Sequence, residues 1–113
     1  MNEFMMIFRS TPMDMQMTPE QIQANIKLWQ DWIGGIAAQG KFVSTNQLSS
    51  EGKTLKPNNV ITDGPYAEVK EIIGGYVIVQ TETLDDAMKL AEGCPILQVG
   101  GHVEVRTLIK MNY

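Results

Sequence analysis

The order of elements along this chain is strand, helix, strand, hairpin, strand, helix, strand. It predicts an α+β fold of the ferredoxin-like βαββαβ kind, an antiparallel sheet with two helices on one face and an inserted hairpin. Three observations carry that expectation: two segments that open on helix-start chemistry and close on glycine, Thr18 to Gly40 and Thr83 to Gly93; the apolar, β-branched run "GYVIVQTE"; and the alternation of "GHVEVRTLIKM". With 113 residues, 43% of them hydrophobic, residues 1–113 are expected to form a single domain around one core.

Residues 3–9, "EFMMIFR", form a short apolar run of strand length, closed by a polar loop containing Pro12. Thr18 then serves as N-cap, Pro19 takes the first helical position, and Gln21 is placed to reach back as in a capping box. Ile22, Ile26, Trp29, Ile33 and Ile36 recur at spacings of 4, 3, 4 and 3, one stripe of a helix expected to be buried, with Leu28 and Trp32 on its flank. Gly40 is placed to terminate the helix, and the pair Gly34-Gly35 suggests a close helix-to-sheet contact.

"KFVSTNQL", 41–48, reads as a second strand. In 49–62, residues 54–56 and 60–62 read as hairpin arms around the turn chemistry of Pro57-Asn58-Asn59. Segment 63–75 shows no clear periodicity and reads as a loop. The strand 75–82 is expected to be central and covered on both faces. Thr83 caps a second helix with Asp85 and Asp86 in its first turn, where the helix dipole favours acids. Leu84, Ala87, Met88 and Ala91 form its expected buried stripe, and Gly93 and Pro95 stop it. In the last strand, 101–111, Val103, Val105, Thr107 and Ile109 share one face, and His102, Glu104, Arg106 and Leu108 the other.

Two helices on one side leave the opposite sheet face bare. An apolar face meeting water calls for a partner, so a homodimer with facing sheets is expected.

Composition excludes several classes. A net charge of −4 and the lack of clustered Lys and Arg argue against a nucleic-acid backbone as partner. The longest apolar runs, Phe4 to Phe8 and Tyr76 to Val79, fall far short of the ~20 residues of a membrane helix. With an acidic start, Met1-Asn2-Glu3, and a single cysteine, the chain is placed in the cytoplasm. One His and one Cys with scattered acids match no metal-ligand spacing, and no glycine-rich phosphate loop or dinucleotide fingerprint occurs. No metal or cofactor is therefore expected. Cys94 follows a helix C-terminus, where the dipole opposes thiolate formation, and reads as a packing residue.

Two sets of residues carry candidate chemistry. Asp63, Glu68, Lys70 and Glu71 place paired acids and a base within one segment. If they converge in a cleft, a carboxylate could be tuned for acid/base work. Equally, Asp63-Gly64-Pro65 is a sufficient turn on its own. His102, Glu104 and Arg106 project from one strand face, so an imidazole, a carboxylate and a fixed cation could line a polar cavity between facing sheets; the plain alternative is a solvated sheet edge.

"TDGPYAEVKEIIGGY", followed by "LDDAMKLAEGCPI" and "GGHVEVR", resembles the YCII-related proteins, in particular the subgroup named after its Asp-Gly-Pro-Phe motif, DGPF. The likeness runs from "EFMMIFR" to "VEVR". It implies a ferredoxin-like fold that dimerises through its sheets as an α/β barrel. More distant relatives are similar to small-molecule lyases or isomerase-like enzymes that use an Asp and a His in a cleft near the dimer interface, and some members are linked to extracytoplasmic-function sigma factors. The motif residues here are Asp63, Gly64, Pro65, Glu68, Lys70, Glu71, Gly74 and Gly75, with Glu104 and Arg106 from the last strand. Tyr66 replaces the phenylalanine of the motif, Thr107 stands where proline is usual, and His102 falls at a position associated with small or polar residues.

The leading expectation is thus a dimeric protein with a cleft for a small polar or anionic organic ligand. Catalysis there would be cofactor-independent proton transfer of the lyase or isomerase type. Asp63 would be the acid/base, Glu68 its support and His102 a second proton carrier, with Lys70, Glu104, Arg106 and Tyr66 facing the ligand. The alternative is a non-catalytic binding or regulatory module linked to a sigma factor, because one scaffold hosts unrelated functions.

Overall fold

The computed structural model describes residues 1–11, 18–49, 51–63 and 72–112, Asp63 by its backbone alone. The elements are β1 (Asn2–Ser10), α1 (Pro19–Ala38), β2 (Phe42–Gln47), β3 (Lys53–Lys56), β4 (Val60–Asp63), β5 (Ile72–Thr81), α2 (Leu84–Ala91) and β6 (His102–Thr107). Strands β2, β5, β1 and β6 lie side by side in that order, every neighbouring pair antiparallel. This mixed α+β arrangement is compatible with a ferredoxin-like fold. The hairpin β3–β4 forms a separate two-stranded sheet, turned by Pro57–Asn59 with Asn58 and Asn59 at positive φ, a conformation asparagine tolerates better than most residues. No helix among the described residues is long and apolar enough to cross a membrane.

Both helices begin where their caps dictate. The Thr18 hydroxyl accepts from the Gln21 backbone N–H at 3.2 Å, and the Gln21 side chain accepts from the Thr18 N–H at 2.9 Å. Thr83 likewise accepts from Asp86 N–H at 3.1 Å. Gly40 ends α1 at φ 72°, the left-handed geometry that lets the last carbonyls find donors.

One face of the sheet carries the core. Phe4, Met6 and Phe8 of β1 and Val77 and Val79 of β5 are buried against Ile36, Ala87, Ala91, Cys94 and Ile96, with Val103 and Val105 packed alongside. Phe8, Trp29 and Trp32 form an edge-to-face trio with centroids 4.8 to 6.0 Å apart, and the Trp32 indole donates to the Leu90 carbonyl at 2.9 Å. That bond ties α1 to the end of α2.

Several expectations are corrected. Ile22 and Ile26 are about half exposed; the stripe of α1 is covered only in its C-terminal half, where Trp29, Ile33 and Ile36 meet the core. Leu84 and Met88 of α2 are exposed as well, and Leu90 packs in their place. Strand β5 is central, but its burial alternates strictly from Gly74 onward, so within one chain only its helix-facing side is covered. It also begins at Ile72, which takes four residues from the expected loop, and β6 ends at Thr107.

A Cβ on Gly34 or Gly35 would have nothing among the described residues within 4 Å beyond its own helix backbone and chain neighbours. The tight glycines lie elsewhere. A Cβ on Gly75 would sit 2.8 Å from the Asn46 carbonyl oxygen, and one on Gly101 would sit 2.5 Å from Ile96 Cγ1 and 2.9 Å from the Arg9 carbonyl oxygen. Next to Gly75, the register jumps from Phe8↔Gly75 to Arg9↔Ile73. Gly74 is therefore the extra residue of a bulge.

Candidate functional site

The sheet face turned away from the helices is built by strand alternation. Met5, Ile7 and Arg9 of β1, Tyr76 and Ile78 of β5 and Ser44 and Asn46 of β2 share it with His102, Glu104 and Arg106 of β6. Register aligns them in rows: Asn46, Tyr76, Ile7 and Glu104 in one, Ser44, Ile78, Met5 and Arg106 in the next. The middle of the face is apolar and its two margins are polar. Met5, Ile7, Tyr76 and Ile78 are only half buried in the single chain, and along its thinnest direction the Cα trace spans 18 Å, enough for one helix layer on one sheet layer.

At the β6 margin two guanidinium groups hold one carboxylate. Arg9 Nε lies 3.2 Å from Glu104 Oε1, and Arg106 Nη1 lies 3.2 Å from Glu104 Oε2. Hydrogen bonding from Arg106, reinforced by the charge and hydrogen bond of Arg9, holds the Glu104 carboxyl below its ordinary range. Glu104 is thereby kept ionised and is poorly suited to carrying protons. The cluster of two cations and one anion has a net charge of +1. Each arginine has five N–H donors in a fixed fork, so donors remain on both after Glu104 is satisfied. Arg106 is the more accessible, its side chain 69% exposed against 29% for Arg9.

His102 sits exposed at the start of β6, in register with Arg9. Thus His102, Glu104 and Arg106 share a face as the alternation predicts, and Arg9 joins them. Arg9 was missed because only the pairing of β1 with β6 brings it there. The available signal was its place among Met5 and Ile7 at the odd positions of β1, where a charge ends an apolar row.

On the opposite side of the face, the Asn46 side-chain amide donates to the Tyr76 hydroxyl at 2.9 Å, and the Thr45 hydroxyl donates to the Tyr76 carbonyl at 2.8 Å. The phenol ring is held from both its backbone and its tip.

Asp63 ends β4, paired with Lys53 in the separate hairpin sheet; its backbone belongs to a different sheet from the Arg9, His102, Glu104 and Arg106 group. Tyr66, Glu68 and Lys70 lie outside the described residues, as do Glu71 and the turn read at Gly64-Pro65. Cys94 is buried, and that burial pushes its thiol pKa up to about 12, partly offset by a hydrogen bond from the Ile96 backbone; it is a packing thiol. Among the described residues no three His, Cys, Asp or Glu side chains converge as a metal site.

A shallow depression of about 120 Å³ on the helix side is lined by Met88, Ala91, Glu92, Leu97 and Val103. It is smaller than the roughly 300 to 1,000 Å³ of ordinary ligand pockets and offers one polar side chain where several usually converge. The open sheet face, with polar groups at both margins of an apolar floor, is the stronger candidate.

Comparison with curated proteins gives no match. The family model of the YCII-related domain matches residues 3–112, nearly the whole chain. The likeness carried by the motifs in the sequence and the antiparallel α+β architecture agree with that match, and the chain belongs to the YCII-related domain family.

Proposed function

We propose that this protein is a homodimer of the DGPF-type subgroup that binds a small organic anion in a cleft formed where two open sheet faces meet. The observation that carries the proposal is the Arg9–Glu104–Arg106 cluster. Two guanidinium forks share a single carboxylate beside a bare apolar floor, leaving excess positive charge and unspent donors for an incoming carboxylate. Apposing a second sheet would exclude water and strengthen that attraction. In the catalytic form of the proposal the bound anion undergoes cofactor-independent proton transfer of the lyase or isomerase type, with Asp63 as acid/base supported by Glu68, and His102 as second carrier. Lys70 and Tyr66 would then face the ligand from the motif loop. A cytoplasmic location fits such a role.

The non-catalytic alternative, a binding or regulatory module associated with a sigma factor, has one observation in its favour. Glu104 and Arg106 are paired to one another, which removes Glu104 from proton chemistry and leaves the cluster suited to recognition.

Ligand-observed NMR titration with benzoate and the uncharged benzamide tests the binding proposal. Benzoate is expected to bind and benzamide not, with the benzoate affinity falling at high salt and weakened in Arg106→Met. Equal binding of the two ligands, or none, would overturn it.

A further inference from the structure

The polar row does not end at the arginine cluster. Asn46, Tyr76, Ile7 and Glu104 stand in one cross-strand row on the open face, and Tyr76 brings a polar group next to the apolar floor. Its hydroxyl oxygen accepts a hydrogen bond from the Asn46 amide at 2.9 Å. A phenol that accepts in this way keeps its own O–H to donate, and the Asn46 contact fixes where the oxygen sits. Ile7 lies between Tyr76 and Glu104 in the row, and β1 separates their strands, so the two polar points are two strand spacings apart, about 10 Å between backbones. Both side chains stand off the same face, roughly perpendicular to the sheet.

We propose that Tyr76 is the second anchor of the ligand site, donating a hydrogen bond to a carbonyl or hydroxyl oxygen at the end of the ligand remote from its carboxylate. This rests on the anion-binding proposal above and narrows it. The ligand class becomes an oxo- or hydroxy-carboxylic acid with an apolar body, its carboxylate on Arg106 and Arg9, its body over Ile7, and its second oxygen at Tyr76. A plain carboxylic acid satisfies only one margin and leaves the phenol facing hydrocarbon. Asn46 acts as a positioning residue for the hydroxyl.

The test compares 4-acetylbenzoate with 4-ethylbenzoate, which keep the same carboxylate and body and differ in the remote oxygen. Affinities are measured by ligand-observed NMR titration on the intact protein. Wild type is expected to prefer the acetyl compound by about three- to tenfold, the worth of one net hydrogen bond. Tyr76→Phe should remove that preference. Asn46→Ala, which keeps the phenol but loses its positioning, should reduce the preference only in part. Arg106→Met should weaken both ligands alike. Equal affinities in wild type, or a preference that survives Tyr76→Phe, would overturn the assignment of Tyr76 and leave the anion site standing. Failure of both acids to bind would overturn the anion site itself.

Discussion

Arg9 and Glu104, 95 residues apart in sequence, meet across the β1–β6 ladder with Nε 3.2 Å from Oε1. Arg106 takes the other carboxylate oxygen at the same distance, so the charge state of Glu104 reports on the whole margin. Its pKa is depressed in the folded chain, first by hydrogen bonding from Arg106. A depressed carboxyl contributes stability that is fully present above its ordinary value, 4.5, and is lost as pH falls through the folded value. The melting temperature of wild type is therefore expected to exceed that of Glu104→Gln at pH 6, with the gap narrowing as the pH is lowered below 4.5 towards the folded value. A gap that is constant across that range would contradict the pairing.

The glycines give a prediction of opposite signs for one substitution. Gly34→Ala, on the exposed side of the C-terminal half of α1, meets nothing among the described residues and should stabilise by about 0.5 to 1 kcal/mol through helix propensity. Gly101→Ala drives a methyl against Ile96 and the Arg9 carbonyl and should cost roughly 1 to 3 kcal/mol as overpacking. Urea denaturation of the two variants checks both signs.

Trp32 joins the helices by a side-chain hydrogen bond to the Leu90 carbonyl. Trp32→Phe keeps a ring near Phe8 and Trp29 but removes one of that carbonyl's hydrogen bonds, the 3.4 Å bond from the Gly93 N–H remaining, an expected loss of about 0.5 to 1.5 kcal/mol. Leu90→Ala, which retains the backbone acceptor, should leave the indole bond intact. Urea denaturation of Trp32→Phe reads the loss, and indole N–H exchange measured by NMR in wild type and Leu90→Ala reads the bond: protection of the Trp32 N–H should persist in Leu90→Ala.

What the sequence made legible was whatever depends on neighbours along the chain. Thr18 with Gln21, Thr83, Gly40 and the alternation of His102, Glu104 and Arg106 are all local signals, and each stands where its chemistry puts it. Periodicity identified one side of α1, but it carries no information on how far the opposing layer extends. Ile22 and Ile26 therefore share a stripe with Ile36 and remain exposed. Composition likewise could not tell a crowded glycine from an open one: Gly34-Gly35 and Gly74-Gly75 look alike in sequence, and only Gly75 is pressed against a neighbouring strand. The candidate site was half legible. His102, Glu104 and Arg106 follow from one strand, whereas Arg9 and Tyr76 enter through the pairing of β1 and β5 with strands distant in sequence.

The most direct measurement of the central proposal is solution mass. Met5 and Ile78 face each other across β1 and β5 in the middle of the open face, and a charge there cannot be desolvated without a partner. Analytical ultracentrifugation of wild type is expected to give twice the 12.6 kDa chain mass, and Ile78→Asp to give the mass of a single folded chain. A wild type that sediments as a monomer, or an Ile78→Asp variant that keeps the doubled mass, would contradict a function built on two facing sheets.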